Sequence, residues 1–220
     1  MLLGKRFNLL FILTGLVYLL LLPYRSFPFD ALLKVIPICI LFFAAYSQLS
    51  GKLRTLVLLG IGFCGLGDVL LNLSFTDSFT FGLGAFLVGH LFYISSFLKF
   101  ANKHNFIVKI LLIILVLASL VMLALQILPK TGDMLIPVAS YMTVIALMGV
   151  FAILSWRKTS LQIWGALIFI ISDTLIAWGM FLTPVPNQGH WVMLTYYIAQ
   201  LFIISGMLKL FTERQLNQFL

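Results

Sequence analysis

Charge is what this sequence has least of: Asp, Glu, Lys and Arg make up 9% of its 220 residues, against roughly 25% in an average soluble domain. So few charges cannot cover a surface that faces water. With 62% of the residues hydrophobic and a mean hydropathy of +1.15, the outside of the molecule must face lipid, which excludes an ordinary water-soluble domain. Acidic residues are rarer than basic ones, six against 14, for a net charge of +8. In a soluble chain that excess would point to nucleic acid, but here the bases stand in short clusters between apolar runs, the pattern of membrane topology. No nucleic-acid partner is expected, and nothing implies a protein partner. Cysteine is almost absent. Cys39 and Cys64 both lie inside apolar runs, where a thiol packs as a small hydrophobe, and no CxxC pair or carboxylate–histidine cluster has metal-ligand spacing. These absences argue against a disulfide framework, a metal site and a cofactor. A Gly-x-Ser-x-Gly elbow is also missing, which argues against a serine nucleophile.

What is plentiful is apolar sequence in runs of about 20 residues, the length that crosses a bilayer as a helix. Charges, prolines and turn residues divide the chain into eight such runs: Phe7 to Leu22, Ala31 to Leu49, Thr55 to Leu73, Phe79 to Leu98, Phe106 to Leu128, Met134 to Ser155, Leu161 to Leu182 and Trp191 to Phe211. The expected fold is all-α, a polytopic membrane protein in which residues 1–220 form one bundle of eight transmembrane helices. Lys5-Arg6 ahead of a leucine-rich run resembles a secretory leader. No small-x-small cleavage site follows it, however, and Pro23-Tyr24-Arg25 reads as a loop, so this run counts as a span. Of the 14 Lys and Arg, all but Arg25, Lys34 and Lys130 fall on one side of such a bundle, which orients both termini toward the cytoplasm. The bias suits a bacterial inner membrane and would equally suit the endoplasmic reticulum. The segment from Gly89 to Lys99 matches that from Ala199 to Lys209 at six of eleven positions. Each closes a helix pair whose first member carries an aspartate, so spans one to four and five to eight are candidates for two parallel four-helix pseudo-repeats.

Those aspartates are the only acids at membrane depth. Asp30, Asp77 and Asp133 lie at span edges and Glu213 near the C-terminus, leaving Asp68 and Asp173 inside hydrocarbon. A carboxylate there is costly unless it is paired, wetted or protonated, and it marks a functional position by default. Asp68 follows Arg54 by 14 residues and Asp173 follows Lys158 by 15, so both sit roughly 21 to 23 Å from the cytoplasmic edge, in one layer. Asn72 is one turn beyond Asp68. His90 and Tyr93 on the fourth span, with Tyr196, Tyr197 and Gln200 on the eighth, add polar groups at i,i+3 or i,i+4 spacing that could line one cavity. Each has a plainer reading: interhelical hydrogen bonds for the aspartates, a packed imidazole for His90, and interfacial anchoring or helix glue for the tyrosines. Two readings are open for Lys34, just inside the outer end of the second span. It either snorkels to the outer headgroups or points inward and holds a phosphate.

At these residues the chain resembles the YhhN family of membrane proteins. The matching pieces are Gly67-Asp68-Val69-Leu70-Leu71, Gly89-His90-Leu91-Phe92-Tyr93, Ser172-Asp173 and Tyr196-Tyr197-Ile198-Ala199-Gln200, within the same eight-span plan. What the resemblance implies is hydrolysis of the vinyl ether bond of lysoplasmalogens, to a fatty aldehyde and glycerophospho-ethanolamine or -choline, with a lysophospholipid and membrane lipid as partners. Vinyl ether cleavage needs a proton delivered to the β-carbon and a water that captures the oxocarbenium ion. Asp68 and Asp173 would divide those tasks as two carboxyls do in glycosidases, and which of them is the acid stays open. His90, Tyr93, Tyr196, Tyr197, Gln200 and Asn72 would bind water and glycerol oxygens, Lys34 the phosphate, with no cofactor. The alternative is a proton-coupled transporter of a small amphiphile, using the same two aspartates.

Overall fold

The computed structural model describes residues 3–24 and 29–217. Among these residues there are eight helices and no strand: α1 (Lys5–Leu21), α2 (Asp30–Gln48), α3 (Gly51–Asn72), α4 (Ser78–Leu98), α5 (Phe106–Ile127), α6 (Leu135–Leu154), α7 (Leu161–Phe181) and α8 (Gln188–Leu216). All eight are long and apolar enough to cross a membrane. Short connections join them, and left-handed backbone at Gly51, Asn105 and Asn187 turns the chain into α3, α5 and α8. Glycine and asparagine are the residues that accept that conformation at least cost. The described part of the expected first loop, through Pro23 and Tyr24, forms a short 3-10 turn. Arg25 lies outside the described residues.

Two helices outrun the apolar windows that announce them, whereas α6 and α7 end just inside theirs. α3 starts at Gly51 rather than Thr55, and α8 runs from Gln188 to Leu216 rather than from Trp191 to Phe211. The reason is that Lys52, Arg54, Glu213 and Arg214 are compatible with helix and carry their charges to the membrane edge on long side chains, so a charge does not stop the helix.

The tightest pairs are α3 with α4 and α7 with α8, linked through α2, α6 and α8. Glycine makes both possible. A Cβ on Gly60 of α3 would lie 2.5 Å from the Tyr93 ring of α4, and one on Gly165 of α7 would lie 2.6 Å from the backbone nitrogen of Ile203 on α8. In lipid, where no hydrophobic force drives helices together, such close approach supplies the packing. α5 is peripheral, packing mainly on α6 and burying only Lys109, Leu120 and Ile127. Its Lys109 ammonium donates to the carbonyls of Asn102 and Leu154, both at 2.9 Å, and to Asn102 Oδ1 at 3.0 Å. This clip ties the α4–α5 loop to the end of α6.

Candidate active site

Six of the helices, α2, α3, α4, α6, α7 and α8, deliver the polar side chains of the candidate site. Asp68, four residues from the end of α3, is 2% exposed, and its Oδ1 is 3.0 Å from the Lys34 ammonium on α2. The same ammonium donates to the Asp68 carbonyl at 3.4 Å. The Tyr196 hydroxyl on α8 donates to Asp68 Oδ2 at 2.6 Å. One turn further along α8, Gln200 donates to the Tyr196 oxygen at 3.5 Å and accepts a 2.7 Å bond from the Tyr93 hydroxyl of α4. Tyr197 donates to the Lys34 carbonyl at 2.8 Å. Every group here is buried and bonded, so charges on Lys34 and Asp68 would have their desolvation offset by each other and by directed hydrogen bonds. Lys34 therefore points inward, and the snorkelling alternative is set aside.

Asp173 sits differently. It is half-buried on α7, and its Oδ2 accepts a short bond from the Tyr141 hydroxyl of α6. No cation pairs with it among the described residues. Asp173, Tyr141 and Thr174 lie in the wall of a cleft otherwise lined by apolar side chains, among them Phe79, Leu83 and Phe86 of α4, Leu120, Leu123 and Ile127 of α5, and Ile170, Ala177 and Phe181 of α7. The cleft has a volume of about 70 Å³, room for a few waters or a stretch of alkyl chain.

Between the two carboxyl sites stands His90 of α4. It is 0% exposed, and neither ring nitrogen has a hydrogen-bond partner among the described residues. Phe169 meets it edge-on at 4.6 Å between ring centroids, with Tyr141 at 5.5 Å and Tyr93 at 6.5 Å. A buried imidazole with both nitrogens unsatisfied is uncommon, because each lost hydrogen bond costs free energy. The two aspartates are near enough to interact electrostatically.

The structure thus brings together Lys34, Asp68, Tyr93, Tyr196, Tyr197 and Gln200 in one network, with His90 beside it and Asp173 beyond. Asn72 is the exception. It ends α3, half-buried, and makes no hydrogen bond to the network among the described residues. Tyr141 was not anticipated, although a signal existed. It lies six residues inside α6, about 9 Å from that end, while Asp173 lies eight residues inside α7, about 12 Å from the same face. Matching tyrosines to the aspartate layer by depth would have found it. The described residues contain no group of three or more His, Cys, Asp or Glu able to hold a metal ion.

A family model described as the YhhN family matches residues 29–207. The chain belongs to the YhhN family. Among its relatives in that family, the human lysoplasmalogenase TMEM86B is 31% identical over 205 residues, covering 90% of this chain and 85% of the relative. The human lysoplasmalogenase TMEM86A is 32% identical over 204 residues, covering 86% and 83%. A lysoplasmalogenase of Mycobacterium tuberculosis is 27% identical over 168 residues, covering 74% and 64%. No solved structure matches. The matched region of this YhhN-family chain contains every polar residue of the network and the whole cleft.

Proposed function

We propose that this chain is a membrane hydrolase that cleaves the vinyl ether bond of lysoplasmalogens, releasing a fatty aldehyde and a glycerophospho-alcohol. One observation carries the reading: of two carboxyls in one membrane layer, one has an ammonium beside it and the other, with no cation paired to it among the described residues, faces a largely apolar cleft. Charge balance at that depth then leaves Asp68 ionised and Asp173 carrying a proton. The named activity of the relatives supports the choice of substrate.

The chemistry follows from those two states. The alkenyl chain enters the cleft and brings its double bond to Asp173. The Asp173 carboxyl gives its proton to the β-carbon, and the vinyl ether becomes an oxocarbenium ion, while Tyr141 stabilises the carboxylate left behind by donating to it. Asp68, held ionised by Lys34 and Tyr196, is the negative end of a fixed dipole that favours the developing cation. A water held by His90 adds to the α-carbon and its proton returns to Asp173. The hemiacetal then collapses to aldehyde and the free glycerol hydroxyl, so acid and water are balanced over the cycle. Tyr93, Tyr197 and Gln200 keep the geometry, the third N–H of Lys34 serves a phosphate oxygen, and Asn72 at the rim serves a glycerol hydroxyl. With both termini cytoplasmic, the site lies in the outer half of the bilayer, consistent with a bacterial inner membrane.

The test is aldehyde release from a lysoplasmalogen by the detergent-purified protein, beside Asp68→Asn, Asp173→Asn and a saturated-ether lysolipid. Aldehyde from the vinyl ether alone, lost in both folded variants, is expected. No aldehyde from a folded protein, together with aspartate-dependent uptake of an amphiphile into vesicles, would replace the hydrolase with a proton-coupled carrier.

A further inference from the structure

One buried acid plays no part in that mechanism. Asp30 is the first residue of α2 and is 8% exposed, and its Oδ1 is buried without a hydrogen-bond partner among the described residues. By its place in the sequence it lies at a span edge. In the structure it sits one helical turn outward from Lys34, about 6 Å along the axis, on the same face of α2. It interacts electrostatically with Tyr197, the residue whose hydroxyl is bound to the Lys34 carbonyl. Tyr197 in turn stands in a cluster of rings, with Phe11 at 6.1 Å, Tyr18 at 6.2 Å and Tyr196 at 5.7 Å between centroids.

The start of a helix favours a negative charge, which accounts for an acid at this position but not for its burial without a partner. Lys34, the cation one turn away, is paired with Asp68 and does not form an ion pair with Asp30. A buried carboxylate near a tyrosine in a cluster of rings, with no cation paired to it among the described residues, is a receptor for an alkylammonium group, which both the charge and the rings attract.

The geometry points to Asp30 as the residue that selects an amine-bearing headgroup, with Tyr197 as an aromatic wall of the same subsite. The inference rests on the hydrolase reading and deepens it. Along α2 the positive and negative groups then stand in the order a zwitterionic lysolipid requires: Asp30 for the outermost ammonium, Lys34 for the phosphate, and the aspartate layer for the vinyl ether. Asp30 is a specificity residue. It contacts the substrate away from the bond that breaks, so its loss raises KM for amine lipids and leaves kcat largely intact.

Three purified full-length proteins test this: the natural chain, Asp30→Asn and Asp30→Glu. Aldehyde release is compared for alkenyl glycerophosphoethanolamine and for alkenyl glycerophosphate, which has the same chain and phosphate but no amine. The natural chain is expected to favour the amine lipid at least tenfold in kcat/KM. Asp30→Asn erases that preference through KM, while Asp30→Glu keeps much of it. In parallel, thermal stabilisation by a saturated-ether lysophosphoethanolamine, against the corresponding lysophosphate, reports binding without turnover. Stabilisation by the amine lipid that Asp30→Asn abolishes would support the subsite even if no aldehyde forms, a result that would sink the hydrolase reading alone. Equal loss on both headgroups would overturn the inference and make Asp30 structural. So would the absence of any headgroup preference, in turnover or in binding, in the natural chain.

Discussion

Replacing Lys34 with methionine would leave the Asp68 carboxylate buried and unpaired. Their side chains are 9% and 2% exposed and their charged atoms 3.0 Å apart, so water cannot take over the lost interaction. Removing one member of a buried ion pair costs about 3 to 5 kcal/mol, most of it the cost of the charge left behind. Asp68→Asn is expected to cost less, because Lys34 is only one turn from the start of α2 and its long side chain can reach toward water there. The double variant, with neither charge, should lie within about 1 kcal/mol of Asp68→Asn, because methionine fills the volume of the lysine stem and no charge remains buried. The assay is unfolding of the purified protein in mixed micelles with increasing dodecyl sulfate, followed by the fluorescence of its four tryptophans. The decisive quantity is the coupling energy from the three variants. If the two single losses simply add, Lys34 and Asp68 are not a desolvated pair and the protonation assignment built on them fails.

Asp173→Asn should reduce aldehyde release by about 10² to 10⁴, the range for a positioned general acid, with the protein still folded. Tyr141→Phe, which removes the hydroxyl bound to Asp173, should reduce kcat by about tenfold or more with little change in KM, since it acts on the charge that forms during reaction. Gly60→Ala, whose methyl would lie 2.5 Å from the Tyr93 ring, should destabilise by about 1 to 3 kcal/mol. Gly62→Ala, two residues on and facing open space, should instead stabilise by about 0.5 to 1 kcal/mol, so the pair of melting curves separates close packing from helix propensity. Lys109→Met should lower stability by about 1 to 2 kcal/mol, because the Asn102 carbonyl loses its donor while the Leu154 carbonyl and Asn102 Oδ1 keep those from the Asn102 and His104 backbone N–H groups. It should not alter KM, because the clip lies at the opposite end of the bundle from the cleft.

Much of the fold was legible because each helix is written locally, as an apolar run of bilayer length between breaks. Helix contacts were harder to read, and α5 shows why. It comes from the most apolar run in the chain and is the least buried helix of the bundle. In water, the apolar face of a helix is the face that packs, but in lipid both faces are apolar, so hydrophobicity alone does not say which one meets protein. The information lay in small residues instead. The glycines of α3 and α7 mark the two tightest helix pairs, while α5 contains no glycine at all.

The candidate site was legible to the same extent and for a related reason. A polar atom inside an apolar span is conspicuous, so Asp68, Asp173, His90 and the tyrosines of α8 could be named from residue type and depth. Depth, however, treats the two aspartates as equivalent, 14 and 15 residues from a basic anchor. What distinguishes them is lateral: α2 brings an ammonium to Asp68, while α6 brings only a hydroxyl to Asp173. Each partner comes from the span just before its aspartate's own, Lys34 reaching Asp68 across 34 residues of chain and Tyr141 reaching Asp173 across 32. The asymmetry that an acid–base mechanism needs is thus a property of which spans pack together. It also explains why Tyr141 escaped notice, since a tyrosine in an apolar run gains chemical meaning only when a neighbouring helix presents a carboxyl to it. A YhhN-family chain that kept both aspartates but lost the cation on α2 should therefore keep its fold class and lose the division of labour between its acids.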